Sequence, residues 1–145
     1  MRHAARCYTF GGSAASESVR QSVQGALPGL LVQAVDSAAL SNEKVAEILG
    51  EQTLEACRLG SALAKKREVD LLMRLGGTTQ ISRAIREVGA KRGSGFVLVV
   101  IGEEADILAL ESKEAAGWTR LPRSELSRDD LRRIERGALL NAERA

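Results

Sequence analysis

The sequence of 145 residues is 44% hydrophobic and 28% charged, with a net charge of +2. This composition predicts one globular domain over residues 1–145. So small a net charge excludes a polybasic coat for nucleic acid but leaves room for a local basic patch. The longest apolar run, residues 96–101, is too short to cross a bilayer, and the N-terminus lacks the apolar core of a signal peptide. We therefore expect a cytoplasmic protein without a membrane partner.

The first half of the sequence predicts two strands and two helices. Residues 7–10 contain β-branched and aromatic side chains and end at a glycine pair, which favours a strand. Residues 13–24 have a helical composition, and residues 30–36 predict a second strand. Ser41 is a candidate N-cap for a helix over residues 41–58.

The second half begins with two helices joined by a tight corner. Residues 69–73 carry an apolar i, i+3, i+4 pattern that predicts a helix ending near Gly76, and a second helix begins at Thr79 or Gln80. The apolar stripe of that second helix has no gaps, and it comprises Ile81, Ala84, Ile85 and Val88. Gly89 then ends the helix.

The last third of the sequence centres on residues 96–101, which are apolar on both faces and predict a central strand covered on both sides. Residues 103–117 fit either a helical turn or a strand. Ser127 and Asp130 have the spacing of a capping box, so a last helix should run to about residue 142, with a bend expected at Gly137. Together the predicted elements form an α/β fold: a single small mixed sheet of three or four strands with helices packed on it.

Few side chains in the sequence suit catalysis. The one histidine, His3, lies near the terminus, which excludes almost every triad that uses histidine as the base. Cys7 and Cys57 form no CxxC motif, so we expect reduced thiols, no metal site and no cofactor. The best acid pair, Glu103 and Glu104, is also what an exposed helix N-terminus favours. The sequence therefore predicts a protein that is not an enzyme.

Two segments suit a bound phosphate, and each also has a plainer interpretation. Residues 89–95 are rich in glycine but lack the spacing of a P-loop, so a simple turn is favoured. Residues 74–81 offer small residues and free backbone N–H groups to an anion, with Arg74 and Arg83 on either side. A plain helix–turn–helix corner explains the same residues. The basic run at residues 65–67 is of the kind that usually marks a solvated helix end.

The last predicted helix has more apolar residues than one core face needs. More than one stripe carries apolar side chains, namely Leu131, Ile134, Leu139 and Leu140. Surplus apolar surface suggests a partner surface, and inward packing of every residue explains it equally well.

The stretch VDLLMRLGGTTQISRAI, residues 69–85, resembles the kinase-binding small subunit of the KEOPS complex, the family of the PRPK-binding protein (TPRKB). The likeness is strongest over residues 69–102, where the glycine–threonine corner is followed by the apolar strand. It extends to residues 7–24, 31–36 and 134–140, the last of which looks like the closing helix of the family. Between residues 102 and 121 the sequence is shorter than many relatives.

This resemblance implies a role without catalysis. Members of the family bind the small atypical kinase/ATPase of the KEOPS complex at its N-terminal lobe. The complex installs a threonylcarbamoyl group on the adenosine beside the tRNA anticodon, and the transferase subunit performs that chemistry. Archaeal-type members also resemble a module that captures the single-stranded 3′ CCA end of tRNA.

The residues assigned to this role fall in two groups. For tRNA, the resemblance and the composition of the corner suggest Lys65, Lys66, Arg67, Arg74, Gly76, Gly77, Thr78, Gln80 and Arg83. For the kinase, they suggest Ile134, Leu139 and Leu140. The alternative function is a small nucleotide- or phosphate-binding protein or enzyme that acts alone and uses residues 89–95 or the turn at residues 78–79.

Overall fold

Residues 3–144, the part of the chain that this computed structural model describes, form four strands and six α-helices. In chain order they are β1 (His3–Phe10), α1 (Ser16–Ala26), β2 (Leu31–Asp36), α2 (Glu43–Arg58), α3 (Arg67–Gly76), α4 (Ile81–Val88), β3 (Phe96–Glu103), α5 (Glu104–Ser112), β4 (Thr119–Arg120) and α6 (Arg128–Arg144). A short 3₁₀ turn at Ser37–Ala39 leads from β2 towards α2. No helix among these has both the length and the apolar character needed to span a membrane.

The four strands form one sheet with the order β2-β3-β1-β4, and each neighbouring pair is antiparallel. β3 pairs with β1 along its whole length, from His3 opposite Glu103 to Phe10 opposite Phe96. β1 and β2 run in the same direction, but β3 returns between them after three helices and so separates them. The predicted α/β fold with four strands is confirmed, whereas the expected mixed pairing is antiparallel in all the described strands.

Alternate side chains of β3 fill two separate cores, because successive residues of a strand point to opposite faces. The core beneath α2, α3, α4 and α6 receives Val97, Val99 and Ile101. The core beneath α1 and α5 receives Phe96, Leu98 and Val100. The prediction of a central strand covered on both sides is therefore confirmed.

Side chains close the open edges of the sheet. At the β2 edge, the Gln33 side chain accepts a hydrogen bond from the Ala34 N–H at 2.9 Å and donates one to the Glu68 carbonyl at 2.8 Å. On the other side of the sheet, β4 pairs only with Tyr8 and Thr9 of β1, and the Cys7 N–H just before them donates to Glu43 Oε2 at 2.9 Å. Unpaired strand edges invite pairing with other chains, so these contacts limit the sheet to its own strands.

A tertiary contact decides where α2 begins. The N-cap is Asn42 and not the predicted Ser41, because Asn42 Oδ1 accepts a hydrogen bond from the Lys44 N–H at 3.0 Å. The same side chain donates from Nδ2 to the Ser124 carbonyl at 3.1 Å. The cap thus also anchors the segment that leads into α6, a contact that local sequence does not reveal.

The ambiguous residues 103–117 form α5 and a turn that leads into β4. Gly117 has a left-handed backbone with φ of 84°, which lets the chain reverse there. The predicted capping box at the start of α6 is confirmed. The Asp130 N–H donates to Ser127 Oγ at 3.1 Å, and the Ser127 N–H donates to Asp130 Oδ2 at 2.9 Å.

Helix α6 adds a layer outside α2 and α3. Gln52 Nε2 donates to the Ile134 carbonyl at 3.1 Å. At Gly137 the helices approach so closely that a Cβ atom would lie 2.9 Å from both Leu49 Cδ2 and Gln52 Oε1. Close packing against α2 therefore explains why this position has no side chain.

Candidate nucleic-acid and partner surfaces

The corner that joins α3 to α4 is a tight turn. Gly77 has a left-handed backbone (φ 64°, ψ 36°), and its N–H donates to the Arg74 carbonyl at 3.3 Å, so the glycine C-cap lies one residue later than predicted. Helix α4 begins at Ile81, after the predicted Thr79 or Gln80, and its N-cap is Gln80. Thr78 Oγ1 accepts a hydrogen bond from the Gln80 N–H at 3.1 Å and so closes the turn before the helix. Thr78 is buried and its hydroxyl is engaged in this turn, which corrects its assignment to tRNA.

Arg74 is among the most buried residues described, and the prediction that it contacts tRNA is wrong. Its guanidinium bonds to Asp70 through Nε at 2.7 Å and Nη2 at 3.3 Å. Nη1 donates to the Gly137 carbonyl and Nη2 to Asn141 Oδ1, each at 2.9 Å. Asp70 also accepts a hydrogen bond from Thr53 Oγ1 at 2.5 Å. This cluster joins α2, α3 and α6 in the interior, where no phosphate can reach the guanidinium.

The basic run lies at the opposite end of α3 from the corner. Lys65 and Lys66 are exposed just before the helix. Arg67 is the first helical residue, and its Nη2 donates to the Gly29 carbonyl at 3.4 Å. The helix has 10 residues, which corresponds to about 15 Å at the usual rise. The run and the corner therefore form two separate basic regions and not the single group expected.

Helix α4 exposes half of its predicted apolar stripe. Ala84 and Val88 are buried against α3, as predicted, but Ile81 and Ile85 are 45% and 53% exposed. The only described helix that α4 contacts extensively is α3, so only one side of α4 is covered. A prediction of burial from the unbroken apolar stripe is therefore too high for this short helix.

Three arginines lie on α4 and beside the corner. Arg83 is exposed and forms an i, i+4 ion pair at 2.9 Å. Arg86 is exposed, and its side chain makes no hydrogen bond or ion pair with any other residue between 3 and 144. Arg136 of α6 donates from Nε to the Gly77 carbonyl at 3.2 Å, and so takes the place at the corner that the sequence suggested for Arg74. Little in the sequence points to Arg136 at this corner, because it lies 59 positions after Gly77.

Helix α6 divides the residues predicted to bind a kinase. Leu140 is fully buried in the core beneath α6, so its assignment to a partner surface is wrong. Ile134 packs partly against the same core. Leu139 is 49% exposed, and Leu131 is 54% exposed. Eight positions are a little over two helical turns, so Leu131 and Leu139 share the outward side of α6.

A buried carboxylate that the sequence did not single out lies in the first turn of α2. Glu43 accepts hydrogen bonds from Arg120 Nη2 at 2.5 Å and Arg123 Nη1 at 3.0 Å, besides the one from the Cys7 N–H. Burial alone would raise the pKa of Glu43, but these hydrogen bonds outweigh it and hold the pKa below its ordinary value. Burial, reinforced by the charge of Glu43, raises the pKa of the Cys7 thiol. The cluster thus joins α2 to β1 and β4 with an ionised acid and a protonated thiol.

The other two candidate sites are the glycine-rich residues 89–95 and the acid pair Glu103 and Glu104. The first is packed against other segments, and the second lies at the N-terminus of a helix. In the turn before β3, Lys91 Nζ is 3.0 Å from Asp36 Oδ2. The same turn lies against the loop between β1 and α1, since a Cβ atom on Gly12 would fall 2.4 Å from the Gly93 carbonyl oxygen. Glu104 is the first residue of α5, as the helix N-terminus interpretation predicts. Among the residues described, no three His, Cys, Asp or Glu side chains are arranged to hold a metal.

Comparison with known proteins does not identify a family. No family model matches the sequence, and no curated protein matches it significantly. Function is therefore inferred from the resemblance of particular segments and from the surfaces described above.

Proposed function

We propose that this chain is the small, non-catalytic, kinase-binding subunit of a cytoplasmic KEOPS complex, and that it helps to hold the 3′ CCA end of tRNA. The proposal rests on the resemblance at residues 69–102 and 134–140. One observation carries it: these two segments, distant in sequence, contact each other. Arg136 Nε donates to the Gly77 carbonyl at 3.2 Å, and Arg74 Nη1 donates to the Gly137 carbonyl at 2.9 Å. A single surface built from both segments is what an adaptor requires.

The tRNA surface that fits the geometry is the outward side of the corner and of α4. Single-stranded RNA needs cations for its phosphates, donors for base edges and flat or apolar surfaces for its bases. Exposed side chains of these kinds are present together here: Gln80, Ile81, Arg83, Ile85, Arg86 and Arg136. Lys65 and Lys66 lie about 15 Å away along α3, and we assign them to phosphates further from the 3′ end.

Charge reversal on α4 tests this surface. We expect Arg83→Glu/Arg86→Glu to weaken tRNA binding about tenfold at moderate salt, because two phosphate contacts become repulsive. Wild-type protein should also bind a tRNA that lacks its CCA end less tightly than intact tRNA. Both affinities can be measured by electrophoretic mobility shift.

A matched control separates a specific site from general attraction of charge. Lys113→Glu/Arg128→Glu makes the same change of charge at two exposed residues that lack ion pairs within residues 3–144. The tRNA proposal fails if this control variant loses as much affinity as the α4 variant, or if removal of the CCA end has no effect.

The outward side of α6 is the proposed kinase surface. We expect Leu131→Glu/Leu139→Glu to abolish co-purification with the KEOPS kinase, because two charges would replace apolar contacts, and to leave the unfolding midpoint unchanged. Leu108→Glu is the matched control, since Leu108 is 55% exposed on α5, on the other face of the sheet. If the α6 variant unfolds, or if both variants retain the kinase, this surface is not the interface.

A nucleotide-binding function predicts a different response. ATP with Mg²⁺ should then raise the melting temperature of the protein, while tRNA should not. That result would replace the KEOPS proposal with the alternative of a small nucleotide- or phosphate-binding protein.

A further inference from the structure

The four aromatic side chains of this sequence lie in one cluster on the α1–α5 side of the sheet. Phe10 stacks on Phe96 with ring centroids 4.8 Å apart. Trp118 meets Phe10 and Tyr8 edge-to-face, at 5.0 Å and 5.5 Å. Tyr8 and Phe96 are buried, whereas Phe10 and Trp118 are half-buried, so the cluster reaches the surface at both of these rings.

The exposed part of Trp118 lines a groove between α1 and the segment that follows α5. The groove has a volume of about 350 Å³, and its other lining residues are Ser18, Val19, Ser22 and Glu114. This volume lies at the lower end of the range, about 300–1,000 Å³, that small-molecule pockets occupy.

The chain holds Trp118 in position from both sides. The Ala115 N–H donates to the Leu110 carbonyl at 2.9 Å, and the Trp118 N–H donates to the Ala115 carbonyl at 3.0 Å, so the segment is folded onto the end of α5. Gly117 takes the left-handed backbone that this turn needs. Immediately afterwards β4 pairs with β1, with Thr119 opposite Thr9. The indole therefore needs no rearrangement before a ligand binds.

The groove carries the negative charge of Glu114 and two hydroxyls, those of Ser18 and Ser22, which can accept or donate hydrogen bonds. Glu114 and the hydroxyls of Ser18 and Ser22 make no side-chain hydrogen bond or ion pair with the residues that the structure describes. Their neighbour Glu17 differs, since its carboxylate is held by Arg20 and is not free to bind a ligand. No Lys or Arg lines the groove. An unpaired carboxylate beside an indole in such a setting is complementary to a cation with a flat, weakly hydrated surface.

We infer that this groove binds the arginine side chain of a partner polypeptide. A guanidinium stacks on or packs against an indole and donates a forked pair of hydrogen bonds to a carboxylate, while its aliphatic stem can lie along Val19. A lysine ammonium is compact and strongly hydrated, so it gains less from Trp118. A nucleobase would stack equally well but would bring its phosphates towards Glu114, which repels them. The groove lies on the face of the sheet opposite the proposed tRNA and kinase surfaces, so its function is independent of theirs.

The experiment uses the fact that the chain has one tryptophan. In ¹⁵N-labelled protein, Trp118 gives a single indole N–H resonance, which can be followed during titration with Nα-acetyl-arginine amide. The neutral isostere Nα-acetyl-citrulline amide is the control ligand. We expect a saturable shift of the indole resonance with the arginine compound, and binding of the citrulline compound weaker by about fivefold or more.

Two carboxamide variants locate the effect. Glu114→Gln should weaken binding of the arginine compound by about fivefold, because it removes the carboxylate partner but keeps the shape. Glu125→Gln makes the same chemical change at an exposed residue outside the groove and should bind like wild type. The full amide spectrum shows in the same measurement that each variant is folded.

Three results would each overturn the inference. They are the absence of a saturable indole shift with the arginine compound, equal affinity for the citrulline compound, and equal affinity in Glu114→Gln. A trinucleotide CCA that shifts the indole at lower concentration than the arginine compound would also overturn it, because the groove would then be a nucleobase site.

Discussion

Among single residues, the buried pair of Asp70 and Arg74 shows how the interior of this protein uses charge. Both side chains are almost fully buried, and the guanidinium also holds Gly137 and Asn141 of α6. Two opposite charges can leave water together only when their hydrogen bonds are satisfied, as they are here. The pair therefore fixes the position of α6 on α3, and loss of either member leaves an uncompensated charge.

Truncation of Arg74 should consequently be severe. We expect Arg74→Ala to lower the free energy of unfolding by about 3–5 kcal/mol, because Asp70 stays buried without its cation. Arg83→Ala is the matched control, since Arg83 forms an ion pair of the same i, i+4 spacing at the surface and should cost about 0.3–0.5 kcal/mol. Urea unfolding measures both values, and similar losses in the two variants would contradict the structural role of Arg74.

The carboxylate of Glu43 should make stability depend on pH. Its pKa in the folded state lies below the ordinary value of 4.5, so it stabilises the fold above that value and loses this effect as pH falls through the folded pKa. We expect Glu43→Gln to be less stable than wild type by about 1.5–3 kcal/mol at pH 7, since hydrogen bonds to a charged acceptor are lost. The difference should shrink steadily below pH 4.5 in urea unfolding measured over a pH series. A difference that is constant from pH 7 to acid would show that the charge of Glu43 has no part in it.

At the scale of elements, the packing of α6 depends on a glycine at its crossing with α2. In most helices alanine in place of glycine stabilises by about 0.8–1 kcal/mol. At Gly137 a Cβ atom would meet the ends of Leu49 and Gln52 at 2.9 Å and Arg74 Cβ at 3.4 Å. Leu49 is fully buried, and the partly buried Gln52 is held by its hydrogen bond to the Ile134 carbonyl, so neither side chain moves aside freely.

Two glycine substitutions should therefore act in opposite directions. Gly137→Ala is expected to destabilise the protein by about 1–3 kcal/mol through overpacking. Gly25→Ala, in the last turn of α1 where no atom lies within 4 Å of the new Cβ, should stabilise it by up to about 1 kcal/mol. Thermal unfolding of the two variants gives the signs directly, and a stabilising Gly137→Ala would mean that α6 packs less closely than described.

Elements with a clear local pattern could be predicted from the sequence. The double-faced strand β3 and the capping box of α6 depend on neighbouring residues, and both are confirmed. Details set by distant residues could not be predicted. Asn42 became the cap of α2 because Ser124 holds it, and Ile81 and Ile85 remain exposed because α4 has one covered side.

The candidate site was less predictable than the fold for the same reason. Whether an arginine faces solvent depends on what packs over it, and Arg74 lies beneath α6. A local signal did exist, since Asp70 and Arg74 are four residues apart on one helix and that spacing favours an ion pair. Nothing nearby in sequence indicates Arg136 at the corner, because its contact with Gly77 requires the complete fold.

At the scale of the whole molecule, the closed edges of the sheet direct partners to the helical faces. Gln33 occupies the β2 edge with bonds to the Ala34 N–H and the Glu68 carbonyl. An incoming strand would have to displace this side chain before it could pair. The surfaces left for recognition are therefore the outer sides of the helices and the groove at Trp118.

Removal of the Gln33 side chain should reopen that edge. We expect Gln33→Ala to lose about 1–3 kcal/mol of stability, because two partly buried backbone groups lose their partner, and to associate at high concentration. Gln21→Ala is a control, since the Gln21 side chain bonds to an exposed glutamate on α1 and should have little effect. Unfolding and light scattering of both variants test this, and a Gln33→Ala protein that stays stable and monomeric would show that other contacts protect the edge.

The cluster around Glu43 also has a consequence for the order in which the protein acquires its shape on the ribosome. The carboxylate is made early, whereas Arg120 and Arg123 follow 77 and 80 positions later. Until those arginines leave the exit tunnel, docking α2 on β1 would bury an acid without its cations, at a cost of several kcal/mol. The nascent chain should therefore leave α2 undocked from β1 until residues 120–123 have emerged from the exit tunnel, and close only then.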